Sequence, residues 1–434
     1  MNIGFISLGC SKNLVDTEMV IGLFKKHNFK IVNNPSYADT IIINTCGFIE
    51  SAKQEAINTI LEMAEYKKKK CKYLIVIGCL VERYKKELEN ALPEVDLFLS
   101  IKEYENLWEK VTKLILENSE EETQLDYLDR CITTGKKMAY LKIAEGCSNN
   151  CTYCAIPSIR GPFISRPIEQ IIEEAEKLAN NGFKEIIVIA QDTTKYGIDL
   201  YGEPKLAELL QRLQKIQEFT WIRFLYAYPE TITDELIDVV KNSKKICHYF
   251  DIPIQHISDK ILKRMNRKSN GESIKKIIKK IRNQIPDTIL RTSLIVGFPG
   301  ETNQDFEELY KFVEQTKFDK LGVFQYSKED NTPASKLKEQ IHPQTKKSRY
   351  RKIMELQQII SKEKLTKKIG NVYEVLIENV SLDKKYWIGR TYMDVPDTDG
   401  VIFIKKEQRE NLIGQYISAK VTDVRDYDLI GEIV

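Results

Sequence analysis

The sequence predicts an α/β protein made of three units. These are an open parallel α/β domain over residues 1–130, an incomplete TIM-like barrel of six βα units over residues 136–368, and a small antiparallel, OB-like β-barrel over residues 369–434. Short apolar runs alternate with helical patterns near the N-terminus, and the alternation continues with a longer period from about residue 136. The last 65 residues contain only short strand-like runs, separated by glycines and Asp/Asn clusters. A chain of 434 residues is also too long for one ordinary hydrophobic core.

Composition excludes several classes of protein. Hydrophobic residues make up 42% of the chain, and no apolar stretch approaches the roughly 20 residues that a membrane span needs. The N-terminus enters a strand pattern without a basic n-region, so we expect no signal peptide and a cytoplasmic location. No feature forces a dimer, so we expect a monomer. Nine cysteines, an odd number spread unevenly, suit ligands and free thiols better than a disulfide framework.

Three apolar runs of the first unit each end in a cysteine beside a glycine. The runs cover residues 3–8, 40–43 and 73–77, and the cysteines are Cys10, Cys46 and Cys79. Because ligands bind beyond the carboxyl ends of parallel strands, these cysteines should converge and hold an iron–sulfur site with three protein ligands. Each one taken alone is more simply a small buried hydrophobe. The remaining cysteines lack this placement and are interpreted as incidental: Cys71, Cys131 and Cys247.

A CxxxCxxC loop follows the first strand of the second unit. Its cysteines are Cys147, Cys151 and Cys154. Three thiolates can hold three irons of a four-iron cluster and leave one iron open to a substrate or cofactor. The alternative is a structural zinc site, but zinc requires four ligands, and no second cysteine pair or nearby histidine follows Cys154.

Six strand-like runs predict the incomplete barrel, at residues 139–143, 185–189, 221–225, 249–254, 290–296 and 321–326. Closure would require eight units. Function in such barrels lies at the carboxyl ends of the strands. The residues at those ends are Cys147, Gln191, Asp192, Tyr226, Tyr228, Gln255, His256, Gly297, Phe298, Pro299, Gly300, Glu301 and Tyr326.

Two of these positions have a simpler alternative. The turn from Gly297 to Gly300 lets the backbone approach a ligand closely, because glycine tolerates unusual φ angles, but a bare strand-to-helix turn would look the same. His256 fits an ordinary core histidine as well as a catalytic group.

Charge is unevenly distributed along the chain. Residues 335–370 carry a net charge of +8 and predict a basic connecting helix, either with a solvated face or in contact with RNA phosphates. The final barrel carries a net charge of −4, with Asp394, Asp397 and Asp399 in one loop. An RNA-binding face should be positive, so the acidic barrel indicates a basic protein partner and makes nucleic acid an improbable substrate.

With Tyr153 before its last cysteine, the CxxxCxxC loop resembles the signature of the radical S-adenosylmethionine enzymes. The resemblance implies that the open iron binds S-adenosylmethionine, whose cleavage gives a 5′-deoxyadenosyl radical. It also implies cofactor contacts at Tyr153, Gln191, Asp192, Gly297 and Pro299. The family usually has Gly-Gly-Glu where this chain has Ala190-Gln191-Asp192.

The whole chain resembles the methylthiotransferases, whose C-terminal TRAM domain the small barrel looks like. One branch modifies an adenosine of transfer RNA, and the other an aspartate of the small-subunit ribosomal protein at the decoding centre. This chain is similar to the second branch in the words SLGCSKNLVD at 7–16, LPEVD at 92–96, AQDTT at 190–194 and DVPDTDG at 394–400. The transfer-RNA branch usually has Gly-Cys-Gln-Met-Asn at its first cysteine.

The resemblance implies two 4Fe-4S clusters, each with three cysteine ligands, and S-adenosylmethionine as cofactors. The radical would abstract hydrogen from the aspartate β-carbon, and the N-terminal cluster would present a methylated sulfur, giving 3-methylthioaspartate. The two cysteine edges should therefore face each other. The sulfur donor and the electron donor stay unidentified. The alternatives are a transfer-RNA adenosine methylthiotransferase and a non-catalytic iron–sulfur electron carrier.

Overall fold

The computed structural model describes residues 1–116, 123–135, 138–406 and 411–434. The predicted start of the second unit, at residue 136, lies outside these residues. The helices are α1 (Ser11–Lys26), α2 (Glu50–Ala64), α3 (Cys79–Ala91), α4 (Leu107–Leu116), α5 (Ile156–Arg160), α6 (Ile168–Asn180), α7 (Ile198–Tyr201), α8 (Leu206–Leu213), α9 (Asp234–Asn242), α10 (Asp259–Arg264), α11 (Gly271–Gln284), α12 (Asn303–Thr316) and α13 (Pro343–Thr366). The strands are β1 (Asn2–Ser7), β2 (Lys30–Val32), β3 (Thr40–Thr45), β4 (Tyr73–Gly78), β5 (Leu97–Leu99), β6 (Met138–Lys142), β7 (Ala144–Glu145), β8 (Ile164–Ser165), β9 (Glu185–Ile189), β10 (Trp221–Phe224), β11 (Tyr249–Asp251), β12 (Ile289–Val296), β13 (Lys320–Gln325), β14 (Val372–Val380), β15 (Tyr386–Arg390), β16 (Ile402–Lys405), β17 (Tyr416–Val424) and β18 (Leu429–Ile433).

The N-terminal unit is a parallel sheet of order β2-β1-β3-β4-β5 with helices on both faces. Every residue of β3 is buried, which explains its continuous apolar sequence. Ile41 and Ile43 pack under α2 and α3, whereas Ile42 packs under α1 and α4. The three predicted strands are confirmed, and β2 and β5 are three-residue edge strands too short to give a pattern. The strand order reverses between β1 and β3, which opens a crevice at their carboxyl ends.

The central unit contains the six predicted barrel strands. They form two parallel sheets, β6-β9-β10 and β11-β12-β13, joined by an isolated parallel bridge between Ile222 and Ile246. Side chains alternate across each strand: Ile187 faces the barrel interior, and Ile186 packs under the outer helices. The predicted (βα)6 architecture is therefore confirmed.

The basic segment forms helix α13, which connects β13 of the central barrel to β14 of the small barrel and also packs as the sixth barrel helix. Helix α13 packs along β13 with Ile353 and Ile360 buried. Ile359, which directly precedes Ile360, is instead 68% exposed. Packing against β13 sets the buried face, and the local spacing of apolar residues does not define it uniquely.

Helix α1 lies between the N-terminal sheet and the barrel, and it is buried on both sides. Buried ion pairs join it to the barrel. The carboxylate of Asp16 lies 2.5 Å from the Lys142 ammonium and 2.8 Å from the Arg160 guanidinium, and Glu18 lies 2.6 Å from Arg130. These ion pairs fix the orientation of α1 relative to the barrel, because separating one partner would leave the other buried and unpaired.

The C-terminal unit is a closed barrel of order β14-β15-β16-β18-β17. Its pairs are antiparallel except for β16 and β18, which run parallel. An odd number of strands cannot close with every neighbour antiparallel, so the predicted antiparallel barrel must contain at least one parallel pair.

The acidic loop of this small barrel docks against the amino ends of the central strands. Asp399 accepts a hydrogen bond from Tyr249 at 2.6 Å, and Asp394 pairs with Lys320 at 2.7 Å. Both carboxylates are buried. Asp397 is the exposed member of the predicted trio. The interpretation of this loop as a surface for a basic partner was therefore wrong for two of its three carboxylates.

We expect the substitution Arg390→Met to weaken the attachment of the small barrel to the central barrel. The guanidinium of Arg390 lies 2.7 Å from Glu185 of the central barrel, and both groups are buried. Breaking such a pair leaves an uncompensated buried charge and lowers the free energy of unfolding by about 3–5 kcal/mol. Urea denaturation followed by tryptophan fluorescence measures this, because Trp221 packs on Tyr416 across the same interface, with ring centroids 4.9 Å apart.

The matched control is Lys385→Met, which removes an exposed lysine of the same barrel. Its unfolding curve should equal that of the wild type. If the Arg390→Met curve also matched the wild type, the buried pair would not fasten the two units together.

Candidate functional site

The first cysteine trio lies at the carboxyl ends of β1, β3 and β4. Gly9 has φ +88°, and a Cβ atom at this position would stand 2.5 Å from the Cβ of Cys46. Only glycine therefore lets the chain bring Cys10 beside Cys46. Cys10 is exposed and Cys79 is buried, so the trio runs from the surface into the protein.

Buried polar groups hold this edge in place. The side-chain amide of Asn13 donates to the carbonyl of Leu8 at 2.7 Å, and Asn44 donates to the carbonyl of Asn13 at 2.9 Å. These bonds tie the start of α1 to the ends of β1 and β3. They fix where Cys10 leaves the sheet.

The second trio lies on a loop that is tied down on several sides. The backbone N–H of Cys147 donates to Gly161, and that of Thr152 donates to Met265. The loop passes through a left-handed residue, Asn150, with φ 52°. Strained backbone of this kind persists where the surrounding contacts impose it, and it is common at ligand sites.

The first trio lies against the segment that follows the second trio. Cys79 packs against Ala155 and Ile159, which follow the last cysteine of the loop. Arg160, at the end of α5, lies with one guanidinium nitrogen 3.4 Å from the Cys79 sulfur and 3.1 Å from the Asn13 side-chain oxygen. A single side chain therefore links the loop of one trio to the edge that carries the other.

The electrostatics of the cysteines differ between positions. Burial raises the pKa of Cys79 to about 12 and that of Cys154 to about 12. Desolvation also opposes ionisation of Cys10, but the charges of Lys12 and Arg160 bring the pKa of this thiol below its ordinary value. Thiols as weakly acidic as Cys79 and Cys154 become thiolates at neutral pH when a metal replaces the proton.

Both trios have hydrogen-bond donors aimed at sulfur, which is the environment that an iron–sulfur cluster requires. Arg267 lies 3.9 Å from the Cys151 sulfur, and the Ile156 N–H lies 3.4 Å from the Cys154 sulfur. Such donors tune bound clusters. Among the described residues, no three Cys, His, Asp or Glu side chains are close enough to share one metal ion.

Predicted cofactor residues surround the second trio. Tyr153 packs beside Phe298 and Tyr326, which brings the cysteine loop against the turn after β12. In that turn Gly297 and Pro299 are buried. The carboxylate of Glu301 already accepts the N–H groups of Gly297 and Phe298, so these two donors are not available to a cofactor.

Gln191 and Asp192 are placed differently from one another. Both oxygens of Asp192 accept hydrogen bonds, from Asn149 and Thr194 at 2.8 Å each, and the residue is fully buried. Burial raises its pKa. Asp192 thus supports the cysteine loop. Gln191 donates to Glu145 at 2.9 Å, and its buried side-chain oxygen has no partner among the described residues, so it is better placed to meet a cofactor.

The sequence did not indicate the charged residues that line the gap between the trios. Glu145 lies 2.8 Å from Lys142 and 3.1 Å from Arg160. Burial opposes its ionisation, but these two cations hold its pKa well below the usual range. Lys12 reaches from α1 to the ring of Tyr226, 3.5 Å from its centroid. Tyr226, just after β10, has φ 63° and is another strained position at the carboxyl ends of the barrel strands. The contact of Lys12 with Tyr226 joins residues far apart in the chain, so no local pattern predicts it.

The other candidates lie away from the gap. His256 is fully buried, accepts a hydrogen bond from the Ser258 N–H, and has a pKa lowered to about 3 by burial, as a neutral core histidine does. Cys71 and Cys247 pack in hydrophobic cores, and Cys131 contacts Lys25. None of these cysteines joins a trio. Among the described residues, no helix is long and apolar enough to cross a bilayer.

Family models match three parts of the chain. The model described as the Radical SAM superfamily matches residues 141–313, that of the uncharacterized protein family UPF0004 matches residues 2–100, and that of the TRAM domain matches residues 369–434. Among solved structures, the radical S-adenosylmethionine methyltransferase TsrM from Kitasatospora setae has a TM-score of 0.59 at 10% identity, covering 77% of this chain and 73% of that chain. At this identity the likeness shows the fold alone.

Two curated relatives match from end to end. The ribosomal protein uS12 methylthiotransferase RimO of Alkaliphilus oremlandii is 65% identical over 433 residues, which cover 100% of this chain and 99% of the relative. The RimO protein of Clostridium novyi is 51% identical over 438 residues, which cover 99% of this chain and 98% of the relative. The chain therefore belongs to the RimO family of radical S-adenosylmethionine methylthiotransferases.

Proposed function

We propose that this chain adds a methylthio group to the β-carbon of an aspartate in ribosomal protein uS12, at the decoding centre of the small subunit. The family relatives carry uS12 in their names. The observation that carries the proposal is the contact of Cys79, from the first trio, with Ala155 and Ile159, which follow the second trio in the chain. Groups held by the two trios would share one gap, as the transfer of sulfur to an activated carbon requires.

The cofactors in this proposal are two 4Fe-4S clusters and S-adenosylmethionine. Cys10, Cys46 and Cys79 would hold one cluster, and Cys147, Cys151 and Cys154 the other. When bound, these groups supply radical chemistry and the sulfur to be transferred. Such chemistry is needed because a methylene beside a carboxylate is too weakly acidic for any side-chain base. The donors of sulfur and of electrons stay unidentified.

The protein's own part is to fix the distance between the two centres. Asp16 of α1 binds Lys142 at the end of β6 and Arg160 just after the cysteine loop. Because these side chains are buried, the N-terminal sheet and the barrel mouth are held in one orientation. Cys79, Cys147 and Cys151 are buried, and shielding a reactive carbon centre from water would protect it from unproductive reactions.

A transfer-RNA adenosine methylthiotransferase is the second candidate. The exposed basic side of α13 favours it, since Lys347, Arg351, Lys352 and Lys362 are open to solvent. Burial of Asp394 and Asp399 also makes the small barrel's surface less acidic than its sequence suggests. The basic side of α13 lies on the outside of the barrel, and its side chains could not hold a base in the gap between the trios. For this reason uS12 remains the proposed substrate. The third candidate, an iron–sulfur electron carrier, would need neither a gap shared by two clusters nor strained residues at the carboxyl ends of the barrel strands.

We expect each trio to account for half of the bound iron. After anaerobic reconstitution the wild type should bind about eight irons, as two four-iron clusters require. Replacing Cys10, Cys46 and Cys79 by alanine should leave about four irons, and so should replacing Cys147, Cys151 and Cys154. Iron and sulfide analysis with Mössbauer spectroscopy measures this.

The matched control for the iron analysis is Cys131→Ala, which changes a cysteine outside both trios. It should bind as much iron as the wild type. A full iron content in the variant that lacks Cys10, Cys46 and Cys79 would overturn the assignment of the first trio.

The substrate is tested by competition in one mixture. The reconstituted protein, S-adenosylmethionine, a reductant and sulfide are incubated anaerobically with purified uS12 and unmodified transfer RNA. We expect mass spectrometry to find one methylthio group on an aspartate of uS12, and none with the Cys147→Ala variant. The same group on an adenosine would move the chain to the second candidate, and no cleavage of S-adenosylmethionine would favour the electron carrier.

A further inference from the structure

Most buried lysines and arginines of this protein pair with a carboxylate, but two that lie near the cysteine trios do not. Nine lysines and arginines are buried among the described residues. Seven of them form ion pairs with carboxylates: Lys53, Arg130, Lys142, Arg160, Arg223, Arg349 and Arg390. Lys12 and Arg267 do not. Burying an ammonium or guanidinium without a counter-charge is costly, so these two positions require an explanation.

Arg267 has hydrogen-bonding partners within the protein. One nitrogen donates to the carbonyl of Pro253 at 3.1 Å, and another lies 3.9 Å from the Cys151 sulfur. Its guanidinium also stacks over Tyr228, 4.2 Å from the ring centroid. Arg267 therefore belongs to the surroundings of the second trio.

Lys12 has no carboxylate partner among the described residues. It is 8% exposed, its ammonium lies 3.5 Å from the centroid of the Tyr226 ring, and the groups whose charges act on it most are Tyr226 and the Cys10 thiol. An aromatic face attracts a cation but does not accept its three hydrogen bonds as oxygen atoms do. The ammonium group is thus held in position between Cys10 and the end of β10 and lacks an anionic oxygen.

We propose that Lys12 binds the carboxylate of the aspartate that is modified. This inference rests on the proposed function. The β-carbon of aspartate is bonded directly to its carboxylate carbon, so a β-carbon placed between the two trios brings its negative charge into the same gap. That charge needs a cation there, because an unpaired carboxylate would pay a large desolvation cost.

The other cations of the gap are already engaged. Arg160 and Lys142 each bind both Asp16 and Glu145. Arg267 lies beside the second trio, on the side where S-adenosylmethionine would bind. Lys12, beside Cys10, is the cation left for the substrate. It would select an acidic side chain over a neutral amide or a nucleobase.

The test compares two ligands and two forms of the protein. The probes are labelled uS12 and labelled uS12 in which the modified aspartate is replaced by asparagine. Their binding to the reconstituted protein is measured by fluorescence anisotropy without reductant, so that no turnover occurs. We expect wild-type protein to bind the aspartate form about 30-fold or more tightly than the asparagine form. With Lys12→Met this preference should disappear, and with Lys12→Arg part of it should remain.

The matched control is Lys25→Met, which removes an exposed lysine from the same helix and should keep the full preference. Lys12→Met should also leave the thermal midpoint of the substrate-free protein close to that of the wild type, since removing this ammonium leaves no buried carboxylate unpaired. If Lys12→Met does not fold, Lys12→Gln repeats the test.

Two outcomes overturn the inference. Retention of the aspartate preference in the methionine or glutamine variant would show that another group binds the carboxylate. Loss of iron from either variant would assign Lys12 to the first cluster. In both cases the product test with uS12 and transfer RNA stands separately, so the proposed function can hold while this inference fails.

Discussion

The carboxylate of Asp16 is the interaction on which the geometry of the site depends. It lies between two cations that belong to the central barrel, Lys142 on β6 and Arg160 after the cysteine loop. A buried carboxylate between two buried cations is stable only while all three stay together. Since Asp16 lies six residues after Cys10 on α1, this one contact sets how far the first trio stands from the second. A rigid spacing suits a reaction in which two separately bound groups must meet the same carbon.

Contacts with another unit also fix the opposite end of the central barrel. Six βα units leave the strand cylinder open, and its interior apolar face must be covered. Trp221 and Tyr249 at the amino ends of the strands pack against the C-terminal barrel, with Glu185 and Arg390 paired in the middle. Contacts with the neighbouring units therefore bury the apolar surface of the incomplete barrel that two further βα units would otherwise cover. The central and C-terminal barrels share one core cluster, to which Val15 of α1 also belongs.

Sequence reasoning was most direct where the position of a residue follows from the topology. Cys10, Cys46 and Cys79 were predicted to converge because parallel strands align their carboxyl ends, a rule that needs only the strand pattern. It did not find Arg160 or Lys12 as parts of the gap, because the residues that they contact there, Cys79 and Tyr226, lie far away in the chain and nothing local marks the pairing. The acidic loop was misread for a related reason. Net charge does not tell which carboxylates are buried against cations of another unit.

The two ends of the barrel also constrain how a substrate is recognised. The small barrel contacts the amino ends of the central strands, whereas the cysteine trios lie at the carboxyl ends. A five-residue strand spans about 16 Å, so no small molecule reaches both places. If the small barrel helps to bind the substrate, it must hold a part of it far from the reacting residue. A folded protein or a ribosomal particle meets this condition and a free amino acid does not. Recognition of the whole partner and recognition of one side chain are then separate tasks, and Lys12 is placed for the second.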